Sequence, residues 1–498
     1  MNTRNTQQSG GRETAASRAL RSIAGLVLTL CLAAPLHGQG PDRSQPPQVG
    51  APPSLTMPLI RHLQLSGGLP VVLVEKHTVP VVQFTLIVKA GSVHDPEGKE
   101  GLASLAASML MEGAGMRSSL ELADAIDYLG ARLSAHAGMH TSSVSLYTPL
   151  SKLDSALALM ADVALRPTFP QSEVERLRKE RLTELLQWRD EPDALAHVAF
   201  NRLLYPDHPY GRVSFGSERS IRAISIGDLK TFHTSYFRPN NATLVVVGDV
   251  QEAALVQKLE GLFSGWRPAA IPSVKPSAVR PVARREITLV DRPGSAQTVI
   301  SIGCIGAQRQ TEDYYALVVL NTILGGSFTS RLNDNLRERH GYTYGARSSF
   351  SFRFQPGPFL AGASVQTAVT DSALFEFMRE LEGITKSIPD SELTKAKNYV
   401  ALSYPADFQT VSQIAAQLEE LVVYDLPDDY FGNYVKRILG LTRQEVESAA
   451  KKYINPGKMM IVLVGDRKQI EDGVRRLSLG VLRHATVEDV LGKAPVVQ

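Results

Sequence analysis

The chain repeats itself once, at long range. Tyr236-Phe-Arg-Pro239, followed by Thr243-Leu-Val-Val-Val-Gly-Asp249, returns as Tyr453-Ile-Asn-Pro456, followed by Ile461-Val-Leu-Val-Gly-Asp466, a displacement of 217 residues. Pro170-Gln-Ser-Glu173 returns as Pro389-Asp-Ser-Glu392 at 219, and Gly130-Ala-Arg132 as Gly345-Ala-Arg347 at 215. Such a spacing is far longer than a solenoid repeat, so it describes two homologous domains rather than an array. A chain of 498 residues has room for two hydrophobic cores, and 43% hydrophobic with 21% charged residues is a globular composition.

The boundaries follow from composition. Residues 268–285 carry Pro268, Pro272, Pro276 and Pro281 with no sustained apolar period and read as the linker. The first domain then spans 59–267, the second 286–490, and 491–498 form a tail. Each domain opens with β-branched runs, 71–76 and 81–89 in the first, 287–290 and 298–305 in the second. Leu102, Leu105, Ala106, Met109 and Leu110 make one helix stripe, and Ser118 with Glu121 is a capping box opening a second helix through 129. The alternating stretch 134–147 predicts strands, and 153–165 and 172–189 predict helices. Both domains are thus mixed α/β units of an α+β fold.

Arginines up to Arg21 precede an apolar run at 23–36, which predicts a signal peptide over 1–38 and a periplasmic destination. Cys31 follows Leu30 rather than a small residue, against a lipid anchor. Six prolines between Pro41 and Pro58 predict an extended tether over 39–58. Four arginines against one glutamate in the first 38 residues account for the whole formal charge of +3. The neutral remainder argues against a nucleic-acid partner. After processing only Cys304 remains, so no intrachain disulfide is expected, and no segment after the leader has the uninterrupted apolar length of a membrane span.

His94-Asp-Pro-Glu-Gly-Lys-Glu-Gly-Leu-Ala103, the two-copy layout and Arg331-Leu…Gly341-Tyr-Thr-Tyr344-Gly345 resemble the pitrilysin/insulinase-type (inverzincin) family of zinc peptidases over nearly the whole mature chain. The resemblance implies two homologous domains forming half of a clamshell. In active members the helix after Gly-Leu-Ala carries His-x-x-Glu-His, which binds zinc and supplies the general base. Here the corresponding positions are Ser104, Ala107 and Ser108. Serine hydroxyls are poor zinc ligands and alanine takes no proton from water, so no metal is expected in this chain and no catalytic residue in cis. Glu184, 76 residues beyond Ser108, stands where the family's third ligand belongs; its other reading is a solvated residue on a charged helix.

Arg331 and Tyr344 correspond to the Arg and Tyr that, in the family, orient the peptide and stabilise the scissile carbonyl. Outside that context they read as a helix-surface ion-pair residue and a half-buried strand aromatic. Gly325-Gly326-Ser327 reads as a helix end, or, by analogy with the glycine-rich loop of the non-catalytic mitochondrial processing peptidase subunit, as a substrate contact. His136 and His140 lie four apart in strand-like text, too far separated to chelate. His94 serves its turn or touches substrate, and Cys304 is an inert core thiol.

The resemblance therefore implies a non-catalytic subunit of an exported heterodimeric metallopeptidase. A homologous His-x-x-Glu-His partner would hold the zinc, unfolded peptides would be the substrates, and Arg331 and Tyr344 would act in trans. The alternative is an inert structural or peptide-binding subunit, like the core proteins of the respiratory complex that share this architecture.

Overall fold

The computed structural model describes residues 58–496; the expected signal peptide, Cys31 and nearly all of the tether lie outside the described residues. The first lobe is built on a sheet of β1 (Arg61–Gln64), β2 (Pro70–Glu75), β3 (Val81–Val88), β4 (Arg132–Ala137), β5 (Ser142–Pro149) and β6 (Ala242–Gly248). Its order is β1-β2-β6-β3-β5-β4. The second lobe has β7 (Glu286–Asp291), β8 (Gln297–Ile305), β9 (Arg347–Phe350), β10 (Pro358–Gln366), β11 (Met460–Gly465) and β12 (Val481–Ala485), in the order β9-β10-β8-β11-β7-β12. Five strands correspond one to one: the sole parallel pair of the first sheet, β2 with β6, is repeated as β7 with β11. The sixth differs. β1 adds antiparallel to β2 from the amino-terminal side, whereas β12 adds parallel to β7 from the carboxy-terminal side.

The repeated sequence motifs occupy repeated places. Tyr236 and Tyr453 each end a helix, Ile226–Tyr236 and Arg443–Tyr453, and the Val-rich runs after them are the central strands β6 and β11. Every residue of β6 is buried, as a strand covered on both faces requires. The Gly-Ala-Arg copies lead into β4 and β9. Local signals decide the helix limits. Ser118 caps Ser119–Tyr128 and Glu121 returns the bond to its amide, and Leu153–Leu165 spans the predicted range. The alternating stretch divides into β4 and β5 at a turn closed by the Gly138 amide donating to the Thr141 carbonyl at 2.8 Å.

The lobes exchange helices. Helix Pro192–Leu204 follows the first lobe's long helix Gln171–Trp188 but packs on β8 and β11 of the second sheet. Its Leu195, Ala196, Ala199 and Phe200 join Val299, Met460, Val462 and Val464 in one apolar cluster. A Cβ at Gly303 would stand 2.7 Å from the Phe200 ring and 2.0 Å from the Phe359 carbonyl oxygen, so only glycine allows this approach. Reciprocally, helix Val411–Tyr424 of the second lobe packs on β3 and β6, and Ser412 donates to Gln83 at 3.0 Å. The linker 268–285 forms no helix or strand. Residues after Val487–Leu491 return to the first lobe, where Arg189 and Arg222 donate to the carbonyls of Gly492 and Val496 at 2.7 and 2.6 Å.

Candidate functional site

Helix Leu102–Leu110 begins under Asp95, whose carboxylate accepts from the amides of Gly101 and Ala103 at 2.8 Å each. Leu102, Leu105, Ala106, Met109 and Leu110 face the core, which turns Ser104 and Ser108 toward Gln171–Trp188. From that second helix Arg181 enters the space between them. Its Nη2 donates to Ser104 Oγ at 3.0 Å and to Ser108 Oγ at 3.2 Å, and its Nη1 donates to the Phe215 carbonyl at 3.3 Å. The guanidinium lies 4.8 Å from the Phe215 ring centroid, and the residue is only 6% exposed. Burial pushes Arg181 down to about 10, against the pull of the Glu184 and Asp95 carboxylates, so it is charged at neutral pH. Ala107 is buried and Ser108 also donates to the Ser104 carbonyl at 3.1 Å.

This arrangement does not fit zinc. The only side-chain oxygens on the helix face already accept from a cation, and Glu184 is exposed, one turn beyond Arg181. Among the described residues no group of three or more His, Cys, Asp or Glu is placed to hold a metal ion. Arg181 was not legible as part of the site; its one signal is the three-residue spacing to Glu184, which puts both on one helix face.

The second-lobe candidates have unequal surroundings. Arg331 opens a short helical segment, Arg331–Asn333, with a side chain 15% exposed. Its Nε and Nη2 reach Glu392 Oε2 at 2.8 and 2.7 Å, and Nη2 also donates to the Ser387 carbonyl at 3.1 Å. Glu392 is the repeat of Glu173, which pairs with Arg176 at 2.6 Å in the first lobe. Arg331 lines a cavity of about 690 Å³ together with Phe328, Ser330, Asn335 and Tyr399. Tyr344 is the opposite case: it is 93% exposed rather than half-buried. Its backbone is nonetheless held, because Thr343 Oγ1 donates to the Ser364 carbonyl at 2.8 Å and the Ala346 amide donates to Asn333 Oδ1 at 3.2 Å.

Arg337, seven residues before Tyr344, lies within the same sequence motif as Arg331 and Tyr344 but carries no role there. Its guanidinium stacks 4.3 Å from the exposed Phe328 ring, and its Nη1 makes no hydrogen bond, its nearest carboxylate contact being Glu338 Oε1 at 3.5 Å. Gly325, next to last in the helical segment Thr322–Gly326, lies against β9, where a Cβ would meet the Ser348 amide at 2.3 Å; packing requires this glycine. His94 accepts from the Gly91 amide at 3.2 Å within its own turn. His136 lies in β4 and His140 in the following turn, where it bonds Tyr210 at 3.0 Å. Cys304 is buried in β8 and burial pushes its thiol up to about 12.

The profile described as Insulinase (Peptidase family M16) matches residues 70–216, and that described as Peptidase M16 inactive domain matches 223–400. A Mycobacterium tuberculosis protein described as an uncharacterized zinc protease is 30% identical over 347 residues, 68% of this chain and 77% of its own length. The chain belongs to peptidase family M16. Another such relative, from Rickettsia bellii, is 25% identical over 339 residues, covering 68% of this chain and 81% of that protein. Among solved structures, an M16 inactive domain from Pseudomonas fluorescens superposes with a TM-score of 0.77 at 28% identity, covering 82% of this chain and 98% of that one. The periplasmic protease PqqL from Escherichia coli shares the fold at TM-score 0.71 and 18% identity, over 84% of this chain and 46% of its own. The two-lobed M16 half-clamshell read from the sequence is therefore the fold. Within this family the chain departs from His-x-x-Glu-His at each chemically essential position.

Proposed function

We propose that this M16 chain is the zinc-less subunit of an exported heterodimeric metallopeptidase that degrades peptides. A homologous partner carrying His-x-x-Glu-His would hold the zinc and the general base, and the second lobe of this chain would complete that partner's site. The observation that carries the reading is the contrast between the lobes. The ligand positions of the first are taken by a buried guanidinium, while the second presents Tyr344, a phenol exposed on a pinned turn. A phenol and a guanidinium are suitable donors to a carbonyl oxygen that gains negative charge during peptide cleavage. Tyr344 would donate directly. Arg331 would have to give up Glu392 to do so, whereas Arg337 would leave Phe328 and a longer 3.5 Å pair with Glu338, so Arg337 joins Arg331 as the candidate cation. Periplasmic location rests on the leader-like run at 23–36; among the described residues no helix is long and apolar enough to cross a membrane.

Commitment of Arg331 to Glu392 favours a second reading, an inert structural or peptide-binding subunit. Peptide hydrolysis separates the two. The purified chain with added zinc should cleave nothing, and turnover that a chelator abolishes would sink the zinc-less reading. Mixed with a His-x-x-Glu-His homologue from a neighbouring reading frame, it should yield hydrolysis that falls about 100-fold on Tyr344→Phe and on Arg337→Ala or Arg331→Ala. Parental rates in all three variants would leave only the inert subunit.

A further inference from the structure

The absent ligands explain why Ser104, Ala107 and Ser108 cannot hold zinc, but not why a buried cation stands among them. Each serine oxygen accepts from Arg181 Nη2, and Phe215 closes the guanidinium from another side through its carbonyl and its ring. The facing acidic groups are Asp95, which burial pushes up to about 7, and Glu184. Asp95 is spent on capping Leu102–Leu110, which leaves Glu184 as the other carboxylate acting on the guanidinium. A divalent cation placed against this helix face would meet an arginine already within hydrogen-bonding distance of both serine oxygens. Two like charges at such separation in a buried site repel strongly, and arginine does not lose its proton near neutrality to relieve the repulsion.

We propose that Arg181 is the resident cation of the site: it bridges helices Leu102–Leu110 and Gln171–Trp188 and excludes divalent metal independently of the lost ligands. The inference concerns this chain alone and goes beyond the subunit reading. A site that had merely lost its ligands would accept zinc once they were restored, with Glu184 as the third. A site held by Arg181 would not.

The test uses the full chain in two forms. One carries Ser104→His, Ala107→Glu and Ser108→His with Arg181 retained; the other adds Arg181→Gln. Bound zinc is measured by equilibrium dialysis with metal analysis, and the zinc-dependent shift of the thermal unfolding midpoint is recorded. The expected result, at one free zinc concentration, is about one zinc per chain when Arg181 is replaced and essentially none when it is kept, an affinity difference of at least about 100-fold. Equal binding by the two forms, or a folded Arg181→Gln form that takes up no zinc, overturns the inference. Should that form fold only on refolding with zinc, the bridging role is supported, and stoichiometric zinc in the form retaining Arg181 overturns the proposal whatever the other does. No readout involves a partner or peptide hydrolysis, so failure here and failure of the subunit reading are distinguishable.

Discussion

The exchange of helices makes the lobes mechanically dependent on one another, and one substitution exposes that dependence. Leu418 lies on helix Val411–Tyr424 of the second lobe, fully buried in a cluster that includes Val72, Val74, Ile87, Val245 and Val247 of the first sheet. Leu418→Ala removes three carbon groups, worth about 2.4 kcal/mol at roughly 0.8 kcal/mol each. The residual cavity raises the cost to about 3–4 kcal/mol, within the usual span for a core leucine. Trp188 packs against the second sheet's cluster as well, but Trp266 packs in the first lobe's own core, so its fluorescence, read in a Trp188→Phe background, reports on a lobe the substitution does not touch in sequence. In guanidinium titrations the tryptophan transition and the far-ultraviolet circular dichroism transition should coincide for the parent and move together to lower denaturant in the variant. A tryptophan transition left at its parental midpoint, with only the dichroism shifted, would refute the coupling.

Three further outcomes follow from the same geometry. Gly325→Ala should destabilise the chain by roughly 1–3 kcal/mol, because its Cβ would press on the Ser348 amide, while Gly261→Ala, in open space on helix Glu252–Phe263, should be neutral or stabilising by up to about 1 kcal/mol; equal thermal midpoints would refute the packing argument. His140 is pushed down to about 4 by burial and by Arg353 nearby, so its neutral form is the one the fold prefers. Its contribution is present above its ordinary value of 6.5 and is lost as pH falls from there toward 4, up to roughly 3 kcal/mol; His140→Gln should flatten that part of the stability–pH curve, and an unchanged slope would exclude His140 as the cause. Cys304, with its Sγ donating to the Tyr453 carbonyl at 3.3 Å, should react with a thiol reagent only after denaturation; prompt labelling of the native chain would contradict its inertness.

What was legible in advance is what short-range chemistry decides. The capping pair Ser118 and Glu121, the apolar stripe from Leu102 to Leu110 and the Val-rich strands β6 and β11 are each set by residues within a few positions. The duplication was legible because the repeated motifs sit at chain turns and strand starts that both lobes need. Arg181 escaped because it is one of several arginines on a charged helix, and only full burial separates it from Arg176, which pairs with glutamates on the surface, and from the half-buried Arg178, which pairs with Glu175. Arg331 was placed in the sequence motif, but its tie to Glu392 joins residues 61 apart.

The amino-acid order by itself determined two homologous α/β units and the loss of the metal ligands, since periodicity, capping and side-chain chemistry are local properties of the chain. It did not determine which sheet receives helix Pro192–Leu204 or Val411–Tyr424. An apolar helix face specifies that it must be buried, not against what, and the hydrophobic effect that drives the burial has no direction of its own. The same holds for the site: that Ser104, Ala107 and Ser108 stand in place of His-x-x-Glu-His is written in the sequence, but that a guanidinium lies in their midst was decided only when two helices and the Phe215 loop closed around it.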